Sequence, residues 1–311
     1  MLSLPQLVQL IYTIPLTIFY YYFTILLTYK IIIKKDSYFN NGFYPLILLK
    51  SYADLIDITN SFISIRFPRW DIASQFFLQI TWLPYLFYME ICLTYNTMLF
   101  CSLLTSLNRF IAIKYPMKYN FWFSSRMLKI YFSIIISVGF ILGCAVLTYH
   151  PYYQWSNGAQ GYFVSFKNSN VGIFTVCYTF ILYLPCAILA ISLNVIAAFE
   201  LKKYRRELSI NMKKELPLFF YSIVSLVFFL LFFLYFLFRA LHTIFYIPIL
   251  QKIAIIAIPW IMDIQTFGLF YSSLIICKPL RHMVLFKEVD DNLVIQNKNL
   301  SKIKIISNLK R

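Results

Sequence analysis

The chain has 311 residues, 60% of them apolar and 13% charged, with a formal charge of +16 at neutral pH. Soluble surfaces carry about 25–35% charged residues, so this composition excludes an ordinary water-soluble domain. The basic residues sit beside the ends of apolar runs and do not form one stripe, which speaks against nucleic acid as a partner and for an anionic lipid surface.

Seven apolar runs follow one another: 7–29, 43–65, 83–113, 127–149, 171–199, 216–238 and 249–277. Each reaches the roughly 20 residues needed to cross a hydrocarbon core of about 30 Å. The first lacks a basic leader and a small-residue cleavage site and is too long for a signal-peptide core, so it is expected to stay as the first span. The first, third and fifth connectors and the tail hold 20 of the 28 Lys and Arg. Because cytoplasmic loops retain Lys and Arg, the expected fold is all-α: a seven-transmembrane helix bundle over 1–277, N-terminus outside and C-terminus cytoplasmic. Residues 278–311 are then a cytoplasmic tail, opening with a short interfacial helix in which Leu280, Met283 and Val284 share a face.

In the second run Lys50, Asp54, Asp57, Ser61 and Ser64 recur at steps of four, three, four and three, which keeps them on one helix face. Intramembrane ions normally face a bundle interior or a watery cavity, so Lys50, Asp54 and Asp57 are read as an intramembrane polar network. In the third run Glu90 precedes Arg109 by 19 residues, roughly 28 Å of helix. The run ends in Asn108-Arg109-Phe110-Ile111-Ala112-Ile113-Lys114-Tyr115-Pro116-Met117-Lys118-Tyr119. There Arg109 is a cation about a turn inside the boundary that must snorkel or pair, and Pro116 ends the helix.

The fourth connector places Asn157-Gly158 between Tyr152-Tyr153-Gln154-Trp155 and Tyr162-Phe163-Val164-Ser165-Phe166. Asn-Gly between aromatic stretches signals a β-hairpin that would lie as a lid over the outer mouth of the bundle; the alternative is an irregular aromatic loop at the headgroups. The fifth connector is dominated by Lys202, Lys203, Arg205, Arg206, Lys213 and Lys214. In the seventh run Asp263 follows Pro259-Trp260. Glu90, Asp263, Trp155 and Trp260 are the candidate ligand-binding residues: the acids can meet a ligand cation or a hydroxyl-rich ligand, or else cap contacts between helices. None of the six cysteines falls in an outer loop, so no disulfide is expected there.

The Asn108–Tyr119 segment resembles the Asp-Arg-Tyr motif and following loop of rhodopsin-like G-protein-coupled receptors, with Asn for the acid and Phe for the Tyr. The string Leu107-Asn108-Arg109-Phe110 most resembles the nematode serpentine chemoreceptors, particularly class gamma. Tyr12-Thr13-Ile14-Pro15, Ala53-Asp54-Leu55-Ile56-Asp57 and the segment Ser272 to Arg281 extend the likeness along nearly the whole chain. The resemblance implies a receptor for a small extracellular molecule that activates a heterotrimeric G protein from the plasma membrane, in sensory cilia. Asn108, Arg109, Phe110, Pro116, Arg205 and Arg206 would then form the coupling switch. Asp54 would match a sodium-binding acid unless Lys50 neutralises it; pairing with a second receptor stays open. The sixth run lacks an interior Cys-Trp-x-Pro and the seventh lacks Asn-Pro-x-x-Tyr.

The competing reading is a small-solute transporter or channel of the plasma membrane. No repeat relates the two halves, as paired transporter halves would require, and no polar ring suggests a filter. His150, His242 and His282 are dispersed, and no nucleophile elbow or phosphate loop occurs, so neither an enzyme, a metal site nor a cofactor is expected.

Overall fold

A computed structural model describes residues 4–36, 38–39, 41–70, 72, 74–156, 161–204 and 210–285. The chain is almost wholly helical. Helix α1 (Leu4–Thr28) continues through a π turn, Tyr29–Ile33, and α2 (Tyr44–Ser61) through a π turn, Phe62–Arg66, into Phe67–Arg69. A short helix, Ser74–Gln79, leads to α3 (Leu83–Lys114), and α4 spans Ser125–Leu147. Strands β1 (Pro151–Ser156) and β2 (Gly161–Phe166) pair antiparallel, with Tyr153 opposite Val164. Helix α5 runs through Val171–Cys177, a π turn, Tyr178–Tyr183, and Leu184–Tyr204; α6 spans Ile210–Phe245. Helix α7 runs through Pro248–Asp263, a π turn, Ile264–Gly268, and Leu269–Ile276, and α8 spans Lys278–Val284. The Asn157-Gly158 turn, Arg205, Arg206 and the tail beyond 285 lie outside the described residues.

Local chemistry accounts for the helix ends. Pro84 and Pro248 occupy first-turn positions, where a missing N–H is harmless. The Ser124 hydroxyl accepts from the Met127 N–H at 3.3 Å and caps α4. Pro116 closes α3 and starts a single 3-10 turn, Pro116–Lys118. His150 takes φ 53°, a left-handed turn that bends the chain from α4 into β1, and Tyr85 meets its ring at 3.2 Å.

Among the described residues six helical stretches are long and apolar enough to cross a membrane: Leu7–Ile33, Leu83–Lys114, Ser125–Leu147, Val171–Lys203, Leu216–Phe245 and Pro248–Ile276. The expected span at 43–65 forms helix α2, yet Lys50, Asp54 and Asp57 on one face hold it below the apolarity of the others. Those three residues are buried, while the residues α2 exposes include Tyr52, Ile56 and Ile63. Its polar face therefore points at its neighbours.

Helix α3 is the hub, packing on α2, α4, α5 and α6. Its approach to α4 rests on two glycines four residues apart. A Cβ at Gly139 would come within 3.0 Å of the Leu93 Cα, and one at Gly143 within 3.2 Å of the Met89 carbonyl oxygen. This small-xxx-small face replaces side-chain interdigitation with backbone proximity. The Asn96 side-chain amide donates to the Ile135 carbonyl at 2.7 Å, one turn from Gly139. Replacing Gly139 by Leu is expected to cost about 1–3 kcal/mol of overpacking and to lower the unfolding midpoint of the detergent-solubilised protein, whereas Leu at the exposed Phe140 leaves it unchanged.

Candidate functional site

The polar face of α2 is held by partners on three other helices. The Lys50 ammonium lies 2.5 Å from Asp54, whose same oxygen accepts from the Tyr20 hydroxyl of α1 at 2.8 Å. Asp57, 3% exposed, accepts from Thr94 of α3 at 3.4 Å. Both contacts fall on one carboxylate oxygen, so Asp54 is ion-paired within α2 while its other oxygen is buried without a hydrogen-bond partner.

A second cluster forms at the hairpin end, and its key member was not among the residues singled out by sequence. Arg66 donates to Asp263 of α7 at 2.6 Å, and Tyr12 of α1 donates to the other carboxylate oxygen at 2.5 Å. A second guanidinium nitrogen of Arg66 reaches Thr13 at 3.3 Å. Arg66 and Asp263 are 4% and 5% exposed. Sequence spacing put Arg66 in a connector, because the four-three alternation ends at Ser64. The π turn Phe62–Arg66 changes the phase to i,i+5, so Ser61 and Arg66 gather with Asp57, Asp263 and Thr266 in one packed cluster. The one sequence signal was Tyr12-Thr13, which the family resemblance had already marked.

The hairpin lies over this end. Tyr153 donates to the Ser64 carbonyl at 3.0 Å, Phe163 lies 5.1 Å beneath the Arg69 guanidinium, and Phe166 packs on Tyr88 at 4.5 Å. Burial pushes the Tyr153 phenol up to about 12, so it remains a donor to Ser64 throughout the physiological range. Glu90 is half-buried on α3, one turn from Thr94. Trp155 and Trp260 are 43% and 40% exposed and stand outside the cluster of Asp57, Arg66 and Asp263. The structure therefore brings Asp263 together with Arg66 and Tyr12, and leaves the two tryptophans outside that cluster. All six cysteines are free thiols.

At the opposite end of α3, Asn108 and Arg109 are 0% and 1% exposed. The Asn108 amide donates to the Tyr119 hydroxyl at 3.1 Å, and its carbonyl oxygen accepts from Arg109. The Arg109 guanidinium lies 4.8 Å above the ring of Phe43. Phe110 is partly buried with its ring 5.8 Å from Tyr115, and Lys114 pairs with Glu200 of α5 at 3.5 Å. A turn deeper, Asn194 of α5 donates to Ser106 of α3 at 2.8 Å and accepts from Ser222 of α6 at 2.9 Å. This α3–α5–α6 network was also not anticipated, since single Asn and Ser residues in apolar runs carry no pattern.

These groups exchange ion-pair and hydrogen-bond partners; among the described residues no His, Cys, Asp or Glu cluster could hold a metal. Removing one partner of a buried ion pair strands the other, at about 3–5 kcal/mol. Arg66→Met or Asp263→Leu alone is therefore expected to lower the unfolding midpoint sharply, and the double variant to recover most of the loss. Additive losses in that cycle would contradict direct pairing.

No curated protein matches the chain. The sequence model of the serpentine type 7TM GPCR chemoreceptor Srv family matches residues 8–287. The match supports the serpentine chemoreceptor resemblance as a whole and carries the designation Srv; it does not support class gamma specifically. It makes the protein a multi-pass membrane protein of chemoreceptor type. With this match over residues 8–287, the chain belongs to the Srv family of serpentine chemoreceptors.

Proposed function

We propose that the protein is a seven-span plasma-membrane chemoreceptor that binds a small extracellular molecule at the hairpin end and activates a heterotrimeric G protein at the Arg109 end. Helix α2 is the seventh span in this reading, with its ions turned inward and Tyr52, Ile56 and Ile63 turned to lipid. The alternation of Lys and Arg between connectors supports an external N-terminus and a cytoplasmic C-terminus. Sensory cilia are the expected location, on the family's account.

The observation that carries the reading is the presence of two buried polar centres at opposite ends of the bundle. Arg66 and Asp263 sit under the hairpin, and Asn108 and Arg109 at the far end of α3, 21 residues from the hairpin contact at Tyr88. That spacing corresponds to roughly 30 Å of helix, the thickness of a hydrocarbon core. Asp57, Glu90 and Asp263 face the hairpin half with Arg66 as the cation paired among them, which suits a ligand bearing a positive charge or several hydroxyl groups. Such a ligand shifts the population toward a form open at the Arg109 end, by its differential affinity for that form.

Guanine-nucleotide exchange in membranes expressing wild type or Arg109→Ala, with and without a pooled metabolite extract, tests coupling. Extract-dependent exchange in wild type, lost in the variant at equal surface expression, is the expected result; solute uptake or current without exchange would indicate a transporter or channel. Asn108→Asp, which replaces the amide acceptor by a carboxylate and so turns the hydrogen bond to Arg109 into an ion pair, is expected to lower basal exchange. An epitope at the N-terminus should be reachable on intact cells, and one at the C-terminus only after permeabilisation.

A further inference from the structure

The Arg109 guanidinium also meets a residue from another helix. Phe43, the residue that begins α2, is 0% exposed and turns its ring face to Arg109 at 4.8 Å. The same ring stands edge to face with Tyr221 of α6, with centroids 5.6 Å apart and planes at 86°. Tyr221 is 3% exposed. One aromatic ring therefore joins the switch arginine of α3 to α6. Phe43 is placed by Gly42, where a Cβ would fall 2.4 Å from the Cβ of Phe123, so the turn into α2 can seat against the start of α4 only without a side chain.

We propose that Phe43 is a positioning residue for G-protein coupling: its ring clamps Arg109 between α2, α3 and α6 and holds the protein in its uncoupled form. The inference rests on the coupling function proposed above and names the contact that restrains it. The chemistry is that of a desolvated guanidinium over a π face, which needs no acidic partner on α6. It adds a restraint from α2 to the hydrogen bond that Arg109 makes with Asn108 along α3. Releasing the ring frees Arg109 from its burial and detaches Tyr221, so the α3 and α6 ends separate together.

A native reporter sits beside the clamp. Cys277, between α7 and α8, is 0% exposed and shares an apolar cluster with Phe43, Tyr44, Tyr221 and Leu280. Its N-ethylmaleimide labelling rate, followed by peptide mass spectrometry in the full-length receptor, reads opening of this end without any G protein. Phe43→Leu removes the ring and keeps an apolar side chain. It is expected to raise both Cys277 labelling and basal nucleotide exchange between about twofold and thirtyfold, the bias that a cation–π contact can exert. Phe43→Tyr, which keeps the ring, should label at nearly the wild-type rate. Arg109→Gln should label fast without exchange, and the double variant with Phe43→Leu no faster than either single change, because both remove one contact.

Wild-type labelling in Phe43→Leu, or additive effects in the double variant, would overturn the clamp. The expected labelling pattern with no exchange in any variant would uphold the clamp and count against the coupling function instead. Should Phe43→Leu fail to reach the membrane, Tyr221→Leu breaks the other side of the ring and carries the same expectation.

Discussion

Charged groups inside an apolar bundle set the terms for everything else in this fold. Taking an ion out of water costs several kcal/mol unless a well-placed partner compensates it. Lys50, Asp54, Asp57, Arg66 and Asp263 are all at or below 5% exposure, so the helices carrying them have little freedom in where they pack. Helix α2 must meet α1 at Tyr20, α3 at Thr94 and α7 at Asp263. The π turns flanking Arg66 and Asp263 are local adjustments of the backbone that let these two side chains face one another.

That constraint makes α2 a connecting element. Its hairpin end offers the Ser64 carbonyl to Tyr153 and the Arg66 guanidinium to Asp263. Its first residue, Phe43, lies under Arg109 and against Tyr221. The hairpin, an ion pair and Arg109 of α3 thus all meet one helix, and a change in how α2 seats would be felt at both ends. The α3–α4 contact is the counterweight. Glycines 139 and 143 bring the α3 and α4 backbones together with no side chain to rearrange.

Several elements were legible in the sequence because they repeat. Apolar runs at bilayer length announce helices, and the 50-54-57-61-64 spacing announces a buried polar face. An Asn-Gly between aromatic stretches announces a hairpin, and the strands are paired on either side of that turn. Arg66 escaped notice because a π turn breaks the 3.6-residue phase by one position, so a residue that looks like a connector cation becomes an interior one. Phe43 escaped for a different reason: in a chain with 32 Phe and 25 Tyr, no single ring stands out. Trp155 and Trp260, chosen for their rarity and position, are exposed and stand apart from the buried cluster around Asp263.

The sequence by itself determined the class of the molecule: the hydrocarbon core demands long apolar helices, and loop charge follows membrane side, so length, hydropathy and basic alternation suffice. It also determined that Arg109 and the ions of α2 need partners, since the cost of burying a charge does not depend on knowing its neighbours. The tertiary structure alone decided who those partners are. Lys50 with Asp54 is local, four residues along one helix, whereas Arg66 with Asp263 and Phe43 with Tyr221 join residues far apart in the chain. Such pairings are set by helix packing angles and phase, and a change of one residue in a turn is enough to redirect them.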